Sequence, residues 1–252
     1  LDKNTLTYLQ SAFRKDLNKL KFLHRNFISF ANSTNQKYDL IIGNPPFIGK
    51  HQFTESFKES VKNLSLSINY AEKDIKNSWA AFLLASNNLL SDDGVMAFVL
   101  PYELISVGYG QTLISSLIPK FEQSDLFIPS KKAFPNIDQD AVVLICSKKK
   151  WKKVSSGKLR IHRVSSLEKL NPIKTTTIPI EFNKNLPTDL MSFLFTPQVN
   201  VLIRRIRENS NKISDFCTTT PGIVTAANDY FILNDVDIQK KNLRKYAQPI
   251  LR

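Results

Sequence analysis

Apolar residues occur at two different spacings along the 252-residue chain. Apolar positions three and four residues apart predict helices at residues 6–23, 78–90, 111–118 and 199–209. Short apolar runs rich in β-branched residues predict strands at residues 22–30, 38–42, 95–100, 125–128, 141–146 and 230–233. Because strands alternate with helices, we expect an α/β fold with a parallel sheet. The strands at 125–128 and 141–146 have no helix between them and are expected to form an antiparallel terminal hairpin.

The character of the sequence changes twice after this hairpin. Residues 148–163 contain eight lysines or arginines and no acid, and residues 171–187 are rich in threonine and proline, which is typical of a linker. A basic helix with Arg204, Arg205 and Arg207 follows. We therefore predict an α/β core at residues 1–165, a linker at residues 166–198 and the start of a second region at residues 199–252.

Composition restricts the classes of function. The chain has 35 Lys and Arg against 22 Asp and Glu, and its net charge of +13 favours a polyanionic partner such as nucleic acid. Two cysteines exclude a disulfide scaffold and fit a reducing, cytoplasmic location. No apolar run reaches the ~20 residues that cross a bilayer, and no histidine and cysteine set has the spacing of a zinc site. We expect neither a membrane partner nor a metal.

The tetrapeptide Asn44-Pro45-Pro46-Phe47 follows the strand at residues 38–42, at the kind of position where open α/β sheets bind ligands. An aromatic amine is a weak nucleophile, because its lone pair is delocalised into the ring. Two acceptors that bind its hydrogens free the lone pair to attack an electrophilic methyl group. The Asn44 side chain and the Pro45 carbonyl can supply them, with directions fixed by the prolines, and Phe47 can stack on a base. The alternative is a turn that ends the strand.

Residues 38–47, which read Tyr-Asp-Leu-Ile-Ile-Gly-Asn-Pro-Pro-Phe, resemble motif IV of S-adenosylmethionine-dependent N6-adenine DNA methyltransferases. The resemblance implies a Rossmann-like sheet, S-adenosylmethionine as cofactor and, as target, an adenine flipped out of the DNA. The same four-residue core occurs in methyltransferases that act on RNA or on protein glutamine. These remain alternatives, as does a non-catalytic DNA-binding remnant.

Further segments extend the resemblance to other motifs of the family. Residues 93–101 resemble motif VI, and residues 134–145 resemble motif VIII, which implies that Phe134 stacks on the other face of the target base; hairpin packing is the alternative. Trp79 and Phe82 lie where motif V contacts the cofactor, with packing in a helix core as the alternative. Asn26 and Phe27 stand where the family often has an Asp-Phe pair that contacts the cofactor's adenine.

The C-terminal part resembles a narrower group. Residues 221–232 resemble the segment that opens the target-recognition region of type IIG and Eco57I-like restriction-modification enzymes, with alanine in place of the family's second glycine. The resemblance implies site-specific adenine methylation in a restriction-modification system, in which an endonuclease domain or subunit often accompanies the methyltransferase. Residues 1–165 are then a methyltransferase core that is incomplete at its N-terminus, and residues 199–252 are the incomplete start of the recognition region.

The resemblance also implies which parts of the site are outside the chain. The family's main cofactor-binding loop is expected upstream of residue 1, so we expect the isolated chain to bind S-adenosylmethionine poorly and to be inactive, whereas its longer parent methylates DNA. Basic side chains are candidate contacts to the phosphates of double-stranded DNA, and a solvated surface is the alternative. They are Lys148, Lys149, Lys150, Lys152, Lys153, Arg204, Arg205 and Arg207.

Overall fold

A six-stranded mixed sheet is the central element of the fold. The computed structural model describes residues 3–16, 18–131, 140–149, 157–180, 190–218 and 231–248. The strands are β1 (Tyr38–Gly43), β2 (Leu90–Pro101), β3 (Gln123–Pro129), β4 (Ala141–Ser147), β5 (Lys158–Ser166) and β6 (Lys169–Pro179). They lie in the order β1-β2-β4-β3-β5-β6, and the pairs β1–β2 and β3–β5 are parallel. The predicted α/β fold with an antiparallel β3–β4 hairpin is confirmed, although β5 and β6 continue the sheet beyond the hairpin.

Two units divide the chain, Leu1–Thr196 and Pro197–Arg252. The described helices of the first unit are α1 (Lys3–Ala12), α2 (Phe27–Ser33), α3 (Glu55–Ser67), α4 (Ser78–Leu89), α5 (Glu103–Ser106) and α6 (Gly108–Leu117). Those of the second unit are α7 (Pro197–Asn209) and α8 (Asp235–Lys240). Among the described helices, none is both long and apolar enough to cross a membrane.

The core of the first unit is built on α4, which packs against β2 and also contacts α2, α3 and α6. Trp79, Leu83 and Leu84 are buried on α4, and its apolar residues occur on all sides, as expected for a helix inside a core. Every second side chain of β2 faces this helix layer, among them Met96 and Phe98, which are buried. Burial of each such side chain stabilises the fold by about 1.5–3 kcal/mol.

The predicted strand at residues 22–30 is wrong, because α2 begins at Phe27. The Asn26 side-chain oxygen accepts hydrogen bonds from the backbone N–H groups of Ile28 (2.9 Å) and Ser29 (3.1 Å). This cap satisfies N–H groups that have no partner within the helix and fixes its first turn. Among the described strands, none pairs with this segment, so a strand would leave its backbone groups without a ladder.

Other element boundaries also differ from the sequence prediction. The helix predicted at residues 6–23 ends at Ala12. The polar stretch at residues 50–76 contains α3, whose Val61 and Leu64 are buried on one side. Of the strand predicted at residues 230–233, residues 231–233 are described, and they form no strand. The spacing of apolar residues predicted α4, α7 and the β3–β4 hairpin correctly. It was less informative where an element is short or mostly polar.

Strand β1 occupies one edge of the sheet, pairing only with β2 among the described strands. Two side chains on one of its faces are open to solvent, since Leu40 is 60% exposed and Ile42 is 71% exposed. Parallel strands read as continuous apolar runs when both faces are covered. The apolar run of β1 is therefore typical of a strand that is covered on both faces, although one face of β1 is exposed to solvent here.

The structure differs from the predicted linker at residues 169–179, which form β6. This strand pairs antiparallel with β5 over most of its length. Its consecutive threonines, Thr175, Thr176 and Thr177, are β-branched and suit a strand. Pro172 and Pro179 are tolerated because β6 is the outer strand of the sheet and the β5–β6 register shifts near Pro172.

A polar network ties β3, β5 and β6 together. Asp125 accepts hydrogen bonds from His162 Nε2 (2.6 Å), from Gln123 Nε2 (2.9 Å) and from the Arg160 guanidinium. Nδ1 of His162 lies 2.9 Å from Thr175 Oγ1. Burial raises the pKa of Asp125, but the hydrogen bonds from His162, Arg160 and Gln123 lower it more, so the net pKa is below its ordinary value.

Replacing Asp125 by asparagine is expected to lower the free energy of unfolding by about 2 kcal/mol, because Arg160 loses its ionic partner. A carboxylate with a depressed folded-state pKa stabilises the fold above its unfolded pKa of about 3.9, and this contribution is lost as the pH falls through the folded value. Urea denaturation of both proteins should give a constant difference above about pH 5 that shrinks below about pH 4. A difference that does not change with pH would contradict this account of Asp125.

Candidate active site

The tetrapeptide Asn44-Pro45-Pro46-Phe47, named the motif loop below, begins directly after β1 at the carboxyl end of the parallel pair β1–β2. Asn44 is exposed, Pro45 is buried and Phe47 is half-buried against the core. Among the described residues, the Asn44 side chain has no hydrogen-bond partner. Its amide is therefore available to a ligand rather than enclosed by the fold.

The chain after the motif loop is held against the N-terminus of α4. Gly49 and Asn77 form an antiparallel bridge. Ser78 N–H donates to the Ile48 carbonyl at 2.9 Å. The Ser78 hydroxyl donates to the Pro46 carbonyl at 2.5 Å and accepts from Ile48 N–H at 3.1 Å. These contacts, named the Ser78 latch below, join the motif loop to a buried helix.

A second polar contact lies beside the start of α4, between residues of α5 and α6. Tyr109 Oη donates to Glu103 Oε2 at 2.7 Å, and the Tyr109 ring lies 5.8 Å from the Trp79 ring. Burial raises the pKa of the Tyr109 phenol, and its hydrogen bond to Glu103 raises it further, while the hydrogen bond with the Asn77 side chain opposes them. Tyr109 therefore remains a neutral hydrogen-bond donor beside the latch.

A cavity of about 290 Å³ opens beside the motif loop. Its walls are mainly apolar and come from α2 with its N-cap, α3, α4, the motif loop and the segment that follows the motif loop. The lining residues are Asn26, Phe27, Pro46, Ile48, Gln52, Phe53, Thr54, Phe57, Ser78 and Phe82. The rings of Phe27 and Phe82 stack with their centroids 5.0 Å apart and an angle of 12° between their planes. The arrangement offers a flat aromatic surface next to Pro46.

Three of the four residues predicted to contact a cofactor line this cavity. Asn26, Phe27 and Phe82 come together although they are distant in sequence. Trp79 does not line it: its side chain is 0% exposed in the core, which favours helix packing over a cofactor contact for this residue. The Asn26 oxygen caps α2, so only its NH₂ group remains to donate to a ligand.

The lining of the cavity suits a flat nucleobase-like ring better than a ligand with charged groups. Flat aromatic rings and an amide at the wall suit an adenine ring. The lining residues include no carboxylate for a ribose and no cation for a carboxylate group. Among the described residues, no three His, Cys, Asp or Glu side chains are grouped so that they could hold a metal ion.

Sequence analysis missed several residues of this site. Phe53 and Phe57 lie in residues 50–76, where sequence analysis predicts no helix or strand, although Phe57, Val61 and Leu64 have the spacing of a helix face. Ser78 begins the helix predicted at residues 78–90 but was not recognised as a contact of the motif loop. Its partner Pro46 is 32 positions away, so no local pattern reports the contact.

The predicted DNA-contacting lysines Lys148 and Lys149 do not lie near Asn44. Lys148 follows β4, which runs antiparallel to β2, and its backbone N–H donates to Gly94 at the opposite end of β2. Along β2, Gly94 lies four residues from Phe98, which pairs with the last residue of β1, and at about 3.3 Å per residue this separation is about 13 Å. Burial lowers the pKa of the Lys148 ammonium, and Lys37 adds to the effect. Lys148 is half-buried and Lys149 is exposed at this end of the sheet, and their contact with DNA phosphates stays a prediction.

The remaining predicted contacts divide into two groups. Arg204, Arg205 and Arg207 lie exposed on α7 in the second unit. Several predicted contacts lie outside the described residues, as does most of the recognition-like segment at residues 221–232. These contacts are Phe134, Lys150, Lys152 and Lys153. Arg163, from the same basic run as Lys148, is exposed near the carboxyl end of β5, the sheet end that also carries Asn44.

Two family descriptions match the sequence. Residues 2–134 match the Eco57I restriction-modification methylase family. Residues 188–252 match the C-terminal domain of the type II methyltransferase M.Eco57I. The first match includes β1, β2, the motif loop and all residues that line the cavity.

Two curated relatives match over different lengths. The type II methyltransferase M.AccI of Acinetobacter calcoaceticus is 25% identical over 234 residues, which cover 87% of this chain and 41% of M.AccI. A tRNA1(Val) (adenine(37)-N6)-methyltransferase of Histophilus somni is 31% identical over 86 residues, which cover 34% of this chain and 33% of that enzyme. The chain thus spans less than half the length of either relative.

Solved structures show the same fold at lower identity. The methyltransferase subunit of a type I restriction-modification system from Streptococcus thermophilus has a TM-score of 0.50 at 18% identity, covering 84% of this chain and 41% of that chain. The type IIG restriction endonuclease BpuSI has a TM-score of 0.50 at 16% identity, covering 88% of this chain and 29% of that chain.

Proposed function

The chain belongs to the Eco57I restriction-modification methylase family, and we propose that it carries the target-base part of a DNA methyltransferase that modifies the N6 amine of adenine. The observation that carries the proposal is the exposed Asn44 amide, held at the carboxyl end of β1 beside an aromatic cavity. The cofactor of the proposed reaction is S-adenosylmethionine, which supplies an electrophilic methyl group when bound.

The proposed chemistry is polarisation of the target amine by two fixed acceptors. The Asn44 side-chain oxygen and the Pro45 carbonyl each accept one hydrogen of the N6 amine, so the nitrogen lone pair is no longer spread into the ring. As the new N–C bond forms, the bond from the methyl carbon to the sulfonium sulfur would break and S-adenosylhomocysteine would leave; the amine would then be cationic and would lose its proton to water. No strong general base is required at this site, because the proton is lost from an already acidic nitrogen.

The cavity is the proposed binding place for the adenine ring of the cofactor. Phe27 and Phe82 contact the ring face, and the Asn26 NH₂ group donates to a ring nitrogen. Pro46 lies in the wall of the cavity and in the motif loop at once. The methyl donor and the target amine are thereby brought to neighbouring sites.

The target adenine must leave the DNA duplex to reach Asn44. Phe47, half-buried at the end of the motif loop, is proposed to stack on the flipped base. Exposed basic side chains are proposed to contact the phosphates of the DNA. They are Arg163 and, on α7, Arg204, Arg205 and Arg207. An endonuclease domain or subunit that cuts the unmethylated site belongs to the same proposal.

Methylation of adenine N6 in RNA is the second candidate function, and the match to a tRNA adenine-N6 methyltransferase favours it. That match covers 34% of this chain, whereas the match to M.AccI covers 87%. The match of residues 188–252 to the C-terminal domain of M.Eco57I also supports DNA as the substrate.

Incubation of the protein, expressed from its complete reading frame, with tritiated S-adenosylmethionine tests the choice of substrate. Bacteriophage genomic DNA, total tRNA and a protein extract serve as parallel methyl acceptors. Tritium is expected in the DNA fraction alone. Label in tRNA alone would establish the second candidate instead, and label in none of the three would reject both.

A further inference from the structure

We propose that Ser78 is a positioning residue for methyl transfer, because its hydroxyl fixes the motif loop relative to the neighbouring cavity. The inference rests on the proposed function. Ser78 does not contact the reacting atoms. It acts through the backbone of Pro46 and Ile48.

The motif loop has few backbone groups of its own with which to hold its conformation. Pro45 and Pro46 have no N–H; their rings fix φ, and Pro46 restricts ψ of Pro45, but ψ of Pro46 is not restricted by a following proline. The direction of the Pro46 carbonyl therefore depends on what donates to it. The Ser78 hydroxyl donates to this carbonyl at 2.5 Å and so defines the plane of the Pro46–Phe47 peptide.

The same hydroxyl also acts on the other side of Phe47. It accepts a hydrogen bond from Ile48 N–H at 3.1 Å, so one oxygen atom bridges the residues before and after Phe47. A hydroxyl can donate once while it accepts. Ser78 is 2% exposed, and in such a water-poor place these hydrogen bonds hold their geometry better than they would in solvent. The bridge fixes the backbone on both sides of Phe47, to which the Phe47 ring and the preceding Pro45–Pro46 peptide are attached.

Ser78 and Phe82 lie four positions apart on α4, and both line the cavity. Residues at this spacing occupy the same face of a helix. A single buried helix thus holds the aromatic wall of the cavity and the anchor of the motif loop. The distance between the proposed cofactor site and the acceptor atoms is then set by one rigid element.

Replacing Ser78 by alanine tests this role in the protein expressed from its complete reading frame. We expect kcat for DNA methylation to fall at least about 10-fold, because small misplacements of reacting groups have large effects on rate. We expect KM for DNA to change by less than about threefold, since binding does not require the exact loop geometry. Ser78→Thr retains the hydroxyl and should recover most of the lost kcat.

Ser86→Ala is the matched control. Ser86 lies on the same helix, is 0% exposed, and its hydroxyl has no partner among the described residues. We expect its kcat to equal that of the wild type. A general weakening of α4 would instead lower the activity of both variants.

Hydrogen exchange at the Ile48 amide gives a readout that does not depend on activity. Ser78→Ala should accelerate this exchange, and Ser86→Ala should leave it unchanged. The inference is overturned if Ser78→Ala keeps kcat within about twofold of the wild type, if Ser78→Thr is no better than Ser78→Ala, or if exchange at Ile48 is unaltered. If the wild-type protein transfers no methyl group to DNA, that result would instead contradict the proposed function.

Discussion

Replacing Asn44 by alanine is expected to lower the rate of methyl transfer to DNA by about 10²–10³-fold, as expected for loss of one preorganised hydrogen-bond partner in an active site. The exposed Asn44 side chain has no protein partner among the described residues, so its loss removes a ligand contact rather than a contact of the fold. The measurement is single-turnover transfer of tritiated methyl groups at saturating DNA and S-adenosylmethionine.

Two comparisons make this prediction specific. Asn35→Ala changes another exposed asparagine, which lies before β1 at the opposite end of the strand, and should leave the rate unchanged. KM for DNA should change less than about threefold in Asn44→Ala, because phosphate contacts position the duplex. An Asn44→Ala protein that keeps more than about a tenth of the wild-type rate would contradict the role of this amide in catalysis.

Replacing Phe82 by alanine is expected to raise KM for S-adenosylmethionine by about 10- to 100-fold, because base–aromatic stacking contributes about 1–3 kcal/mol. Phe82 lines the cavity and stacks on Phe27, so its removal leaves one ring without its neighbour and opens the wall. The value of kcat at saturating cofactor should change much less, because Phe82 touches neither Asn44 nor the reacting amine in the proposed complex.

Phe127→Ala is the matched control for Phe82→Ala. Phe127 is also half-buried and also stacks on a neighbouring ring, that of His162 at 4.7 Å, but it does not line the cavity. Both changes should lower the thermal stability, and only Phe82→Ala should raise KM for the cofactor. Equal KM values for the two variants would place the cofactor's adenine elsewhere.

Local sequence was sufficient to predict the parts of the site whose structure depends on residues close together in the chain. The apolar run of β1 followed by two prolines predicts both the strand and its end, since proline cannot continue a ladder. The apolar helix α4 and the β3–β4 hairpin follow from spacing in the same way. Asn26, Phe27 and Phe82 were proposed as cofactor contacts from resemblance, and the structure brings all three to the cavity wall.

One local contact and the direction of one strand account for two features that sequence analysis did not predict. The apolar residues at 27–30 suit a strand or a helix, and the Asn26 cap favours the helix. The lysines after β4 form a clear charge pattern, but a charge pattern carries no strand direction. Because β4 runs antiparallel to β2, Lys148 lies at the end of the sheet away from Asn44.

Mass spectrometry of nucleosides from DNA methylated by the protein, expressed from its complete reading frame, tests the central claim most directly. The claim is that Asn44 and Pro45 activate an exocyclic adenine nitrogen. In reactions stopped while the wild-type product still increases linearly, digested DNA should contain N6-methyldeoxyadenosine after reaction with the wild type and at least about 100-fold less after reaction with Asn44→Ala. Methyl groups on cytosine, or equal amounts of N6-methyldeoxyadenosine from both proteins, would contradict it.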